Sequence, residues 1–201
     1  MYPYIECSTF ADDIKYHGGA WQSDFHFINI PFIDQEGKTT ADYPGSDSIK
    51  TRNITEAIKN IVGWISQKDG DAYLDSYLYD YVQNRLYPDN PDVAKSYALR
   101  LLIHYLGDIH QPFHVESRFN DAYPTGDKGA NSFPIPYHYE ADELHALWDK
   151  GLYTLRTNIA RPFTNETYAS FQTKTIDPYM SKYPYTLTDA SVANTDADAW
   201  S

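Results

Sequence analysis

Cysteine occurs once in the 201 residues, at Cys7, so the chain can close no internal disulfide and cannot build a cysteine zinc finger. Basic residues are also scarce. Sixteen Lys and Arg stand against 28 Asp and Glu, for a formal net charge of −12. Binding nucleic acid through a basic patch depends on Lys and Arg displacing phosphate counterions, so that mode is disfavoured. No apolar run approaches the roughly 18 residues a membrane span needs, and the opening MYPYIECSTFADD lacks the basic start and apolar stretch of a secretion signal. Any export signal is expected outside this chain. Repeats, low-complexity tracts and linkers are missing too, so residues 1–201 read as a single domain. What is present is 42% hydrophobic residues and 16% aromatics, with 19 Tyr: a globular core finished by large amphipathic rings. A solvated surface explains most of the acidic excess, and bound cations would neutralise some of it.

Apolar spacing is helical almost throughout. Residues 54–67 place Ile54, Ile58, Ile61, Val62 and Ile65 on one stripe, with Asn53 and Glu56 in capping-box positions. Residues 71–86 repeat the spacing, and YPDNPD at 87–92 punctuates the chain. From Asp92 as a cap, a helix apolar on most faces runs to the breaker at Pro112. A long loop rich in Gly, Pro, Asn and Asp is expected at 117–138. Helical spacing resumes over 140–153 and again over 166–183. No alternating strands are expected, so the fold class is all-α, one mainly helical domain. Trp64 and Trp148 are assigned to its core.

Three His-x-x-x-Asp pairs occur: His104 with Asp108, His138 with Asp142, and His145 with Asp149. Chance alone gives about 0.7. Four-residue spacing puts both side chains on one helix face, where an imidazole and a carboxylate can reach one ion. Taken singly, such a pair is more often a buried hydrogen bond than a metal site. Around Asp108 the surroundings are apolar, and a carboxylate there is costly unless paired or metal-bound. Pro112 turns the chain so that His114 can point back at the helix end, which adds a donor and invites a second ion. His138 with Asp142 sits at a loop junction and reads as a chance pair, His17 as a surface residue, and His110 as a supporting or structural one.

The string LRLLIHYLGDIHQPFH, then KGAN and ELHALWD, resembles the signature of the zinc-dependent phosphodiesterase superfamily that holds the fungal and plant single-strand-specific (class I) nucleases and the bacterial zinc phospholipases C. Upstream, STFADDI and FHFINIPF resemble the nuclease family's aspartate and first histidine segments, in the right order. The resemblance implies that Asp12, His26, His104 and Asp108 hold one zinc and that His114, His145 and Asp149 hold its neighbour. It implies a hydroxide bridging the two ions, oriented by Asp12, that attacks phosphorus in line. Phe27 matches the ring that stacks on a base, and Asn29 and Asn131 match its polar contacts. Stacking needs no basic groove, which suits the −12 charge. The implied activity is hydrolysis of single-stranded DNA and RNA, with 3′-nucleotidase action, to 5′-phosphorylated products, by a monomer that forms no stable nucleic-acid complex.

Several positions depart from the family. Asn29 replaces an aspartate common in the fungal enzymes, Ala130 replaces a glycine of their GGN, and Lys128 takes an apolar position. The phospholipases carry His-x-x-x-Glu where this chain has His145 and Asp149, so phospholipase C is the lesser alternative. The family's third zinc uses an N-terminal Trp and a histidine soon after. Met1-Tyr2 supplies neither, so two zincs are expected, and the chain reads as a fragment lacking both ends. A degenerate metal-binding member without turnover is the third reading. The full-length protein is expected to be secreted, or lysosomal or vacuolar, with glycan acceptors at Asn53 and Asn165.

Overall fold

Asn53 starts the first long helix by accepting a hydrogen bond from the Glu56 amide at 3.0 Å, while Glu56 itself turns to Asn60, so half of the expected capping box forms. The computed structural model describes residues 3–47, 49–67, 70–138, 141–150 and 162–182. Two short helices open the chain, α1 (Pro3–Cys7) and α2 (Phe10–Ile14), and a kinked turn leads to a 3₁₀ segment, Ala20–His26. The helix capped by Asn53 is α3 (Ile54–Ser66). After a 3₁₀ turn at Ala72–Asp75, α4 (Tyr77–Tyr79) continues as a π-helix, Asp80–Leu86, where one unbroken helix over 71–86 was expected.

The central helix, α5, spans Pro91–Asp108. Its cap is Asn90 rather than Asp92, with Pro91 at the first helical position, where its missing N–H costs nothing. Ala94, Ala98, Leu101 and Tyr105 bury one face against Ile54, Ile58 and Ile61 of α3. Val93 and Leu99 are apolar yet exposed, so α5 is buried along one face and not all round, as a central buried helix would be. The small Ala94 and Ala98 let the two helices approach, and each buried Ile contributes about 2 kcal/mol. On α3, Val62 and Ile65 fall off the buried stripe, and Trp64 joins it instead.

Four short strands form among the described residues, two of them at the ends of the loop expected at 117–138. β1 (Ile30–Ile33) pairs in parallel with β2 (Glu116–Phe119), in the register Ile30 to Glu116. β3 (Pro134–His138) and β4 (Ala141–Glu143) form an antiparallel pair. Between β2 and β3, buried Asp127 accepts the Arg118 amide at 3.0 Å and ties the segment down. The remaining helices are α6 (Pro112–Val115), α7 (Leu144–Asp149), α8 (Asn165–Phe171) and α9 (Asp177–Lys182), the last two joined by a π-turn close to the expected 166–183 helix. Met1, Tyr2, the end of the 140–153 segment and the His138 side chain lie outside what is described. Among the described residues the protein is mainly helical, and no helix is long and apolar enough to cross a membrane.

Candidate metal centre

Five chain segments converge on one face of the domain. α2 brings Asp12, the 3₁₀ segment ends at His26, α5 carries His104 and Asp108 one turn apart, α6 carries His114, and α7 carries His145 and Asp149. The reversal between Asp12 and His26 depends on Gly18, at φ 88°, and on Gly19, where a Cβ would stand 2.6 Å from the Ile14 carbonyl oxygen. The His26 and His114 segments are then clamped in both directions. The Ile28 amide donates to the His114 carbonyl at 2.9 Å, and His114 Nδ1 donates to the His26 carbonyl at 2.7 Å.

Two groups of donor atoms result, Asp12 with His26 and His104, and His114 with His145 and Asp149, each within 4.8 Å internally. Asp108 lies beside the first group: its Oδ2 is 2.8 Å from His26 Nδ1 and 3.1 Å from His104 Nε2. It is also 3.8 Å from His114, so it stands between the groups.

Tautomers follow from the backbone. A carbonyl can only accept, so the rings that meet one must carry their proton on Nδ1. His104 Nδ1 donates to Ser8 at 2.6 Å, His114 Nδ1 to His26, and His145 Nδ1 to Gly129 at 2.6 Å. In each neutral ring the Nε2 lone pair then faces carboxylate oxygens: Asp108 and Asp12 for His104, at 3.1 and 3.7 Å, and Asp149 for His114 and His145, at 3.8 and 3.4 Å. Acceptors facing acceptors in buried surroundings need a proton or a cation between them. Imidazole and carboxylate donors in such sets suit a divalent metal. His26, buried, leaves Nε2 without a partner among the described residues and turns Nδ1 towards the site.

The charge coupling is strong. Burial pulls His104 and His114 down, but the carboxylates of Asp108 and Asp149 outweigh it and raise both above the ordinary 6.5. Burial wins at His26, which falls below 6.5. For Asp108, burial pushes upward, yet hydrogen bonds with His104 and His26 hold it well below the usual carboxylate range. Asp149 is lowered as well, against burial, by His114 and by Gln111.

The donors open on a cavity of about 460 Å³, which a second cavity of about 420 Å³ adjoins through the shared residues Phe27 and Asn131. Phe27 stacks on His114, with ring centroids 4.6 Å apart. Asn29, exposed at φ 56°, lines the second cavity. Asn131 donates to the Lys128 carbonyl at 2.9 Å. Lys128, Gly129 and Ala130 all stand near φ 60°, and that left-handed turn presents the Gly129 carbonyl to His145.

Lys15, Gln111 and Trp148 line the first cavity beside the expected residues, although none was expected in the site. Lys15 pairs with Asp12 at 3.1 Å, a contact legible only as an i, i+3 spacing. Gln111 donates to Asp149 at 2.9 Å while its Oε1 caps α6. Trp148 is 39% exposed and packs edge-on against Phe113, so it is part of the cavity wall and not of the core. Exposed His110, just past α5, donates to the Leu106 carbonyl of that helix, and His17 lies on the surface.

The sequence profile of the family described as S1/P1 Nuclease matches residues 3–201. The chain belongs to the S1/P1 nuclease family. It is 27% identical over 146 residues to "Endonuclease 4" of Arabidopsis thaliana, covering 70% of this chain and 40% of that protein. "Endonuclease 2" of the same plant is 28% identical over 146 residues, covering 71% and 41%. "Nuclease S1" of Aspergillus oryzae is 34% identical over 55 residues, 27% of this chain and 16% of that protein. The chain thus spans about 40% of the length of the plant relatives it matches. Within the S1/P1 family, its mainly helical fold and its two His/Asp groups able to hold metal are the features that bear on activity.

Proposed function

We propose that the centre binds two zinc ions and that the protein hydrolyses phosphodiester bonds of single-stranded DNA and RNA, and 3′-nucleotides, to 5′-phosphorylated products. The observation that carries this reading is the pair of adjacent donor groups, each with histidine Nε2 lone pairs facing carboxylates. His26, His104, Asp12 and Asp108 would hold one ion, and His114, His145 and Asp149 the other. Bound zinc supplies Lewis acidity to the phosphate and makes a neighbouring water a better nucleophile near neutral pH.

The chain's own residues do the rest. Asp12, more than half exposed beside buried histidines, is placed to orient a water and take up its proton. Lys15 donates to Oδ1 of that carboxylate. Gln111 fixes Asp149, and the Gly129 carbonyl fixes the ring of His145. Phe27 offers a π-surface between the two cavities, and stacking on such a ring contributes about 1–3 kcal/mol per base. That contact selects unpaired bases and needs no basic groove, in keeping with the net charge of −12. The amides of Asn29 and Asn131 can both donate and accept at a base edge.

The test is zinc per chain, followed by hydrolysis of denatured DNA, RNA and phosphatidylcholine with and without chelator. Expected are two zincs and chelator-sensitive cleavage of the nucleic acids. Cleavage of phosphatidylcholine alone would move the protein to the phospholipase branch, and two bound zincs without hydrolysis would make it a degenerate member. For the whole protein we infer a secretory or vacuolar route. The sequons at Asn53 and at exposed Asn165 would be its glycan acceptors.

A further inference from the structure

Two fully buried polar side chains lie behind the first donor group and, among the described residues, form no hydrogen bond with its donor atoms. Tyr105 and Gln22 are both 0% exposed. The Tyr105 hydroxyl donates to Gln22 Oε1 at 2.8 Å, and Gln22 Nε2 donates to the Ala11 carbonyl at 2.8 Å. The relay joins three segments. Tyr105 follows His104 on α5, Gln22 shares the Ala20–His26 segment with His26, and Ala11 precedes Asp12 on α2. The Tyr105 ring also meets the His26 ring edge-on, centroids 5.5 Å apart.

We propose that Gln22 and Tyr105 are positioning residues that fix Asp12, His26 and His104 relative to one another as a metal-binding set. The inference rests on the metal-site reading above. Apolar side chains would fill the same space without the risk of an unsatisfied buried polar group. Apolar contacts, however, tolerate sliding by an ångström, whereas two hydrogen bonds in series do not. The three segments share one apolar core, and His104 ties α5 to Ser8 just before α2; the Gln22–Ala11 hydrogen bond is what fixes the 3₁₀ segment against α2. Among the first group's own side chains, α2 meets the 3₁₀ segment through Asp12 and His26 at 3.7 Å, beyond hydrogen-bond length. The second group is held mainly by the Gly129 carbonyl and Gln111 and shares the His26 carbonyl with the relay's 3₁₀ segment, so a defect in the relay should weaken the first ion more than the second.

The experiment uses Tyr105→Phe, Gln22→Met and the double variant, with zinc affinity measured against a competing chelator and the visible spectrum of the cobalt-substituted protein. Each single variant strands a buried partner and lowers Tm, and the double variant recovers part of that loss because the Tyr105–Gln22 pair is removed as a whole. In all three the first ion should bind about tenfold or more weakly, in the range found when residues behind metal ligands are removed. The second ion should weaken several-fold less than the first, and the cobalt spectrum of the first site should change even in the double variant. Should Gln22→Met fail to fold, Tyr105→Phe removes a single oxygen and reads the same quantities. Wild-type affinity and an unchanged cobalt spectrum in every variant would overturn the inference, as would equal weakening of both ions in step with Tm. Wild-type protein that binds no zinc overturns the metal-site reading itself and this inference with it.

Discussion

His114 donates from Nδ1 to the His26 carbonyl at 2.7 Å, so a ring of one donor group is oriented by the backbone of the other. His145 has no such tie to the first group; its Nδ1 is held by Gly129. His145→Ala should therefore cost one zinc and leave the other at wild-type affinity. His114→Ala should cost one zinc and weaken its neighbour several-fold as well, because the His26 carbonyl loses its partner. Chelator-competition titration of both variants checks this; identical metal profiles would contradict it.

Stability should depend on pH in a way that zinc reverses. In the metal-free protein, His104 and His114 lie above 6.5, so their contribution is complete below 6.5 and is lost as pH rises through their folded values. His26, lowered by burial, costs stability as pH falls below 6.5. Asp108 and Asp149, both lowered from 3.8, contribute above 3.8 and lose that contribution as pH falls through their folded values. The metal-free optimum is therefore expected near pH 6.5. Zinc competes with protons for the same imidazoles, so the rise in Tm it causes should grow with pH. Thermal melts with zinc and with chelator at about pH 5.5 and 7.5 read this directly. An equal rise at both contradicts it.

The left-handed turn at 128–130 gives opposite expectations for neighbouring positions. A Cβ on Gly129 would stand 1.9 Å from the Phe113 carbonyl oxygen, which forces backbone apart beneath His145. Gly129→Ala is expected to lose about 3 kcal/mol or more, with the second ion lost. Ala130, also left-handed, has a buried methyl group. Relief of about 1–2 kcal/mol of conformational cost on Ala130→Gly offsets the lost methyl, so the change should be within about 1 kcal/mol of neutral. Chemical denaturation of both variants measures the contrast.

Phe27→Ala removes the proposed stacking surface without removing a donor atom. KM for single-stranded substrates is expected to rise about 5- to 150-fold, the range that corresponds to the loss of one stacked base, with zinc content unchanged. A variant that keeps wild-type KM on single strands would remove Phe27 from substrate binding.

How much of this could be read in advance differs from residue to residue. The spacings His104 to Asp108 and His145 to Asp149 are local, so helical periodicity alone put each pair on one face. Asp12 and His26 were reachable only through the family resemblance, because no periodicity links α2 to a 3₁₀ segment that reverses at two glycines. β1 and β2 pair residues far apart in the chain, and the segment ESRF shows no alternation to mark it, so a loop was the natural reading. Val62, Ile65 and Trp148 have core chemistry but surface positions, which only packing decides. The Tyr105–Gln22 relay left no trace in the sequence: helical spacing puts Tyr105 on the buried face of α5, but no pattern links it to Gln22.

The central claim is that two metal ions, one on each donor group, make this domain a single-strand-specific hydrolase. The most direct test adds zinc stepwise to chelator-stripped protein and follows cleavage of denatured and duplex DNA at each step. The expected result is little cleavage up to one equivalent, full cleavage of denatured DNA at two, and little of duplex DNA throughout. Cleavage that is complete at one equivalent, or that proceeds in the stripped protein, would contradict the two-ion centre.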